Sequence, residues 1–383
     1  MAKKRLNKRQ ARIEREKRLK RRKRKRLAII FIELLILAGL GVVAYGMFVM
    51  DKMDTTTLNK SDLKVYKSTG DYTNIALFGL DSREGELDGG VQSDCIMIAS
   101  INNKTNEVKL VSVFRDTLLK VGDEKYGKAN SAYNIGGPTG AIALLNRNLD
   151  MDIEKYISVN FNVMADIVDD IGGIEVDMTE EEVEWTNQYC GETAAVVGRA
   201  PHSTLSGSGV QKLDGVQAVS YARIRYTEGM DFKRTQRQRI VLEKIVKKAQ
   251  KANVITLNNI INSVMSQIST NLTAGNMLAL AAHAKDYKLG EMSGFPFEVT
   301  TCEKVKGHKG SYATAVGLEK NVSELHQFLF GKENYEPSKT VQDISDEIIY
   351  MTGVDPETYK ETTDYTYKSG GEDTAQKSDD KNK

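Results

Sequence analysis

At 383 residues and 42.6 kDa, with 40% apolar side chains, the chain can bury a sizeable core, which excludes collagen-like and wholly disordered classes. Three cysteines exclude a disulfide-dense miniprotein. The 54 Lys/Arg and 52 Asp/Glu nearly cancel, but residues 1–26 hold 16 basic side chains against two Glu, a net +14, and the remainder is net −12, which excludes a uniformly basic nucleic-acid binder.

Leu27 to Met50 is a 24-residue apolar run with Glu33 as its only charge. As a helix it spans about 36 Å, enough for a hydrocarbon core of about 30 Å. The basic block before it puts residues 1–26 in the cytoplasm and the rest of the chain outside. A cleaved signal peptide is the competing reading, but the run is longer than the usual apolar region and lacks an Ala-x-Ala-type site. A buried core helix would show a polar face, and this run has none. The 16 basic residues hold topology and touch anionic headgroups rather than nucleic acid.

Residues 51–71 read as a polar stalk, residues 72–351 as a globular domain, and residues 352–383 as a polar, disordered tail. Within the domain, Asn74–Leu80, Cys95–Ile101 and Val108–Phe114 are expected as strands. The last two are joined by a polar hairpin turn. A helix is expected over Thr139–Leu149 after Gly136-Gly137-Pro138, then a strand over Tyr156–Asn160 and a helix over Phe161–Ile171. Ile174–Val176 opens another strand, and helices follow over Phe232–Ala252 and Asn276–Asp286. The segment Tyr189–Gly209 is expected as a mobile loop. Strands alternating with helices, with one hairpin among them, predict an α/β/α sandwich with a mixed central sheet, preceded by one transmembrane helix.

The hairpin carries geometry. With its turn centred between Lys104 and Thr105, an antiparallel register sets Asp94 beside Arg115. Asp81 ends the preceding strand, and Ser82–Ser93 returns the chain to Asp94. Two carboxylates and two arginines, Arg83 and Arg115, can therefore gather at one end of a sheet. One reading is a rim salt bridge of little energy. The other is a divalent cation on the carboxylates beside phosphate-binding guanidinium groups.

A second cluster lies between Tyr221 and Arg239, where five Arg fall within 17 residues: Arg223, Arg225, Arg234, Arg237 and Arg239. Stepping back along the apolar stripe of the following helix (Val241, Leu242, Ile245, Ala249) lands on Gln238, Arg237 and Arg234. Those side chains are expected to face the protein body, with Asp231 as N-cap. Basic residues in a helix's first turns oppose its dipole, so an anion is expected to compensate: a phosphate, or the domain's own carboxylates.

Five segments in order resemble the LytR–CpsA–Psr family of membrane-anchored cell-wall phosphotransferases. They are NIALFGLDSR (74–83), QSDCIMIASINNKTNEVKLVSVFRDTLL (92–119), KANSAYNIGGPTGA (128–141), YISVNFNVMADIVDDIGGIEVDM (156–178) and LDGVQAVSYARIRYTEGMDFKRTQRQR (213–239). The resemblance implies an enzyme of the cell membrane, single-pass, with its catalytic domain extracytoplasmic. It would take a glycopolymer, a teichoic acid or a capsular polysaccharide, from an undecaprenyl-pyrophosphate carrier. It would join the polymer to a peptidoglycan hydroxyl as a phosphodiester and release polyprenyl phosphate. A long apolar pocket for the polyprenyl chain is implied too.

By motif position, Asp81 and Asp94 would bind Mg²⁺ (or Mn²⁺). Arg83, Arg115, Arg223 and Arg225 would bind the pyrophosphate, with Arg234, Arg237 and Gln238 completing the pocket. Asp94, Arg115 and Asp81 would be catalytic, with Asp94 or a metal-bound group taking the acceptor's proton. The implied partners are the lipid-linked glycopolymer, peptidoglycan and membrane lipid, and no nucleic acid. Gln92, Cys95 and Lys233 depart from the family's common Arg, Thr and Gly.

Three alternatives stand beside it: a polyprenyl-pyrophosphate pyrophosphatase or phosphodiesterase that needs the same metal and arginines with water as acceptor, a membrane-bound transcriptional regulator whose basic arm contacts DNA, and a lipid-binding scaffold that would tolerate loss of Asp81 and Asp94. The four His are scattered without ligand spacing. Cys190 and Cys302 lie outside the membrane and can be weighed as a disulfide pair. Cys95 reads as a small buried residue. Trp185, the lone tryptophan, reads as packing or as a sugar-stacking surface.

Overall fold

The computed structural model describes residues 54–359, except 82–86, 88–89, 201–202, 228–229, 254–255, 258, 261–262, 264–266, 274, 277–279 and 281–282. The expected membrane span over 27–50 and the basic block lie outside the described residues, as do Arg83 and residues 277–279 and 281–282 of the helix expected over Asn276–Asp286. Among the described residues no helix is long and apolar enough to cross a membrane.

The centre is a seven-stranded mixed sheet. Its strands are β1 (Asp54–Thr55), β2 (Tyr72–Leu80), β3 (Ser93–Asn102), β4 (Glu107–Val113), β7 (Lys155–Asn160), β10 (Ser269–Thr270) and β11 (Lys288–Phe295), ordered β1-β10-β7-β2-β3-β4-β11. Strands β2 and β7 pair in parallel, as do β4 and β11, while β3 runs antiparallel to both β2 and β4. One edge of the sheet therefore collects the C-terminal ends of β2, β4, β7 and β11 together with the start of β3. Ligands in open α/β sheets bind at such an edge. Three two-stranded antiparallel sheets stand apart from this sheet: β5 (Leu118–Lys120) with β6 (Tyr126–Lys128), β8 (Ile174–Met178) with β9 (Gly209–Leu213), and β12 (Val299–Cys302) with β13 (Tyr312–Ala315).

Helices cover both faces of the sheet. Against one lie α1 (Ser131–Leu149), α6 (Leu318–Phe330) and α7 (Lys339–Thr352). Their Ile142, Leu325 and Ile344 join Phe78, Ile98 and Val111 in the largest buried cluster. On the other face α2 (Phe161–Asp170), α4 (Gly215–Arg223) and α5 (Met230–Ala249) stand over Leu77, Met97 and Ile157. The remaining helix, α3 (Glu180–Val196), packs on α4.

Local chemistry explains most boundaries. The expected helix over Thr139–Leu149 is the second part of α1. Gly136 and Gly137 leave helical geometry, Gly137 at φ 56°, and Pro138 restarts the helix where its missing N–H costs nothing. Helix α3 runs through Tyr189–Val196, the first eight of the 21 residues expected to be a loop. Thr179 and Glu182 close a capping box at its start.

The described part of the stalk expected over 51–71, residues 54–71, is instead built into the domain. Asp54–Thr55 extends the sheet beside β10, and Leu63 is buried in the main core. Thr69 and Asn74 both hydrogen-bond Asp152. Folding is favoured here because an apolar Leu and paired polar groups can be satisfied together. Of the tail expected over 352–383, residues 352–359 also fold on: Val354 is buried and a turn closes with Tyr359 N–H donating to Asp355 O at 2.8 Å. Cys190 and Cys302 form no disulfide; all three cysteines are free.

Candidate active site

The β3–β4 register supplies the first contact. Met97 faces Ser112 and Ile98 faces Val111, and extending that pairing sets Asp94 beside Arg115. The Arg115 Nη1 donates to Asp94 Oδ1 at 2.8 Å. On its other side β3 slips by one residue against β2: Gly79 pairs with Cys95, yet Leu80 pairs with Ser93. Asp94 is the extra residue of this bulge, a device that re-aims a side chain beside a site. Gly79 is needed there, because a Cβ would stand 2.8 Å from Cys95 Cβ.

Two more arginines reach Asp94 from far along the chain. Arg225 Nη2 lies 3.1 Å from Oδ2, and Arg234 Nη1 lies 3.7 Å from the same oxygen. Arg234 also holds Asp231 at 3.0 Å. Asp231 sits inside the first turn of α5 rather than capping it, and it approaches Arg115 Nε at 3.5 Å. Arg115 Nε is 3.4 Å from Asp116, which in turn pairs with Lys128 at 2.8 Å. Sequence reasoning gave Asp231 only a capping role. Its position three residues before Arg234 was the available signal, since such pairs meet on a helix.

Burial and charge pull these groups in opposite directions. Burial pushes the Asp94 carboxyl up, but Arg115, Arg234 and Arg225 together outweigh it and hold it below the ordinary carboxylate range. Asp231 goes the other way: burial wins over Arg234 and Arg115, and its carboxyl is pushed up. Burial lowers Arg234, whose side chain is only 3% exposed, and its Nε has no hydrogen-bond partner. The thiol of Cys95, partly buried beside Asp94, is pushed up to about 12 by burial.

The other expected site residues fall into three groups. Arg223 and Gln238 line a cavity described below, but the Arg223 guanidinium bonds Thr193 and Glu192 rather than Asp94. Arg237 faces inward as the helical stripe requires, yet it serves the fold. It donates to Glu182 at 2.8 Å, to Thr227 at 2.7 Å and to the Ile224 carbonyl at 3.3 Å. Here a domain carboxylate is the compensating anion. Asp81 is exposed just beyond β2, its backbone N–H on Gln92 O at 3.3 Å.

The cavity, of about 240 Å³, opens beside the cluster between the sheet and helices α2, α4 and α5. Its walls are almost wholly apolar, with Met97, Ile157, Met164, Val219 and Leu242 among them. Its polar lining is Asp94, Asn160, Arg223 and Gln238. An apolar slot ending at convergent charges is what an amphiphile with an anionic head requires.

Among the described residues no three His, Cys, Asp or Glu side chains cluster to hold a metal. A hard cation such as Mg²⁺ does not need three, because it keeps waters and shares substrate phosphates with one or two carboxylates. Both Asp94 oxygens are already engaged by guanidinium groups, so a cation there would displace at least one contact. Arg225, 41% exposed, is the freest to swing away. The oxygen donors of Asp81 and Asp94 suit such an ion.

Comparison with known proteins agrees with this fold. A sequence profile of the LytR_cpsA_psr family matches residues 42–327. The polyisoprenyl-teichoic acid–peptidoglycan teichoic acid transferase TagU of Bacillus anthracis is 32% identical over 231 residues, 60% of this chain and 70% of its own. TagU of Bacillus subtilis is 28% identical over 281 residues, 70% of this chain and 84% of its own. Among solved structures, TagT of B. subtilis superposes with a TM-score of 0.52 at 20% identity, covering 70% of this chain and 94% of that one. A structure described as a transcriptional regulator from Enterococcus faecalis gives 0.56 at 24%, covering 77% and 99%. Those structural likenesses speak for the fold, and the profile match speaks for descent: the chain belongs to the LytR–CpsA–Psr family.

Proposed function

We propose that this protein transfers a phosphate-linked glycopolymer, a teichoic acid or related wall polysaccharide, from undecaprenyl pyrophosphate to a peptidoglycan hydroxyl. One observation carries the reading: an apolar cavity is lined by Asp94, the carboxylate that Arg115, Arg225 and Arg234 surround. The cavity takes the polyprenyl chain, and Arg115, Arg225 and Arg234 face the diphosphate. The names of the TagU relatives support the same substrate class. The basic block and apolar run of residues 1–50 support a membrane anchor with this domain outside the cell.

The acceptor hydroxyl oxygen attacks the polymer-bearing phosphorus, and the bond from that phosphorus to the oxygen of polyprenyl phosphate breaks. Phosphoryl transfer of this kind needs in-line positioning and charge stabilisation more than a covalent nucleophile. Guanidinium forks supply both. The hydroxyl proton passes to a carboxylate. Asp94, held low, stays ionised but is a weak proton acceptor. Asp231, pushed up beside Arg115 and Arg234, is better matched. The arginines are already neutralised by Asp94, Asp231 and Asp116, so an entering diphosphate brings excess negative charge. Mg²⁺ held by Asp81 and Asp94 would offset that charge.

The test uses full-length protein in detergent with undecaprenyl-pyrophosphate-linked teichoic acid precursor and peptidoglycan. Polyprenyl phosphate release and phosphodiester-linked polymer are both measured. Arg115→Ala is expected to lower transfer by about 10²-fold or more, the usual loss for one charge-stabilising donor. Undiminished transfer by that variant would reject the site. Equal lipid-phosphate release without peptidoglycan would favour a pyrophosphatase instead.

A further inference from the structure

We infer that an aromatic shelf formed by Trp185, Tyr189 and Tyr226 is a subsite for the pyranose rings next to the pyrophosphate of the lipid-linked donor. The inference rests on the function proposed above and adds where the sugar lies. Trp185 and Tyr226 come from α3 and from the turn after α4, yet their rings stand 5.1 Å apart at 34°. Tyr189, one turn along α3, lies 6.4 Å from Trp185. Tyr226 is 67% exposed, so its ring face is open to a ligand.

The shelf is continuous with the site. The Arg223 guanidinium stacks over the Phe161 ring at 5.2 Å and over the Tyr189 ring at 5.6 Å. Phe161 and Arg223 both line the cavity. Tyr226 directly follows Arg225, which holds Asp94. Moving outward from the cavity, a ligand would meet apolar walls, then guanidinium groups, then aromatic rings. That order is polyprenyl chain, diphosphate, sugar. The apolar C–H face of a pyranose packs on an aromatic ring, and tyrosine hydroxyls hydrogen-bond its rim. Trp185 is also seated on the apolar cluster beneath it, so the shelf is held rigid before any ligand arrives.

The lone tryptophan makes the test direct. Full-length protein in detergent is titrated with undecaprenyl pyrophosphate and with the same lipid carrying a disaccharide, and Trp185 emission and affinity are followed. The sugar-bearing lipid is expected to shift the emission and to bind about ten-fold more tightly, the scale of one well-formed aromatic contact. Tyr226→Ala is expected to erase that margin, and Tyr226→Phe to keep most of it. Equal affinity and equal emission for the two lipids overturn the subsite and leave the lipid pocket standing. So does a margin that survives Tyr226→Ala. Failure of both lipids to bind overturns the lipid-carrier reading itself, and the subsite falls with it.

Discussion

Replacing Asp94 by Asn separates what the arginine cluster does for folding from what it does for a ligand. The wild-type carboxylate is 15% exposed and faces Arg115, Arg225 and Arg234. Arg225 is exposed enough that its pair contributes little. Arg234 is buried and Arg115 is mostly covered, and removing one partner of a buried pair costs about 3–5 kcal/mol. Arg234 keeps Asp231, and Asn can still accept a hydrogen bond from Arg115, so the lower end applies, about 3 kcal/mol. At roughly 2–4 °C per kcal/mol for domains of this size, the melting temperature falls by about 6–12 °C. The freed guanidinium groups then favour an anion. Pyrophosphate in metal-free buffer is expected to raise the melting temperature of Asp94→Asn more than that of wild type, because ligand binding to the native state stabilises by mass action. Asp231→Asn is the control: burial already disfavours its charge, so the variant is expected to melt within a few degrees of wild type. Differential scanning fluorimetry reads all three proteins. If Asp94→Asn melts with wild type, or pyrophosphate favours wild type more, the electrostatic account of the cluster is refuted.

The same carboxyls set an acid limb. A folded pKa held low gives Asp94 a stabilisation that is complete above its unfolded value, about 3.9, and is lost as pH falls through the folded value. Between about pH 5 and 3, Asp94→Asn should therefore show a flatter decline in melting temperature than wild type. Asp231 has the opposite sign, costing stability as pH rises through its raised value, so its Asn variant should gain on wild type above about pH 4. Gly215→Ala puts a Cβ 2.3 Å from the Ala165 carbonyl oxygen, forcing α4 off α2, and urea unfolding should show a loss of about 3 kcal/mol. A loss below about 1 kcal/mol would mean the two helices slide freely. Native Cys95 should react slowly with iodoacetamide at pH 8, because burial pushes its thiol up to about 12, and rapid adduct formation seen by mass spectrometry would refute this.

Sequence separation decided how much of the site could be read in advance. Asp94 and Arg115 are 21 residues apart across one hairpin, and hairpin register follows from turn position, so their contact was legible. Arg225 and Arg234 reach Asp94 across 131 and 140 residues, and no local pattern encodes that. The helical stripe gave the burial of Arg234 and Arg237 correctly but not their partners, so two residues three positions apart take different work: one joins the cluster, the other locks α5 to Glu182. Helices α3 and α4 went unread although both begin with a capping box, Thr179 with Glu182 and Asp214 with Gln217. Missing α3 hid the aromatic shelf, because Trp185 and Tyr189 share a face only once the segment is helical. The bulge at Asp94 explains why register alone understated the site. A regular strand would keep Asp94 on the face that Ile96 and Ile98 bury in the main core, and the single extra residue turns it towards the arginines that approach over the opposite face.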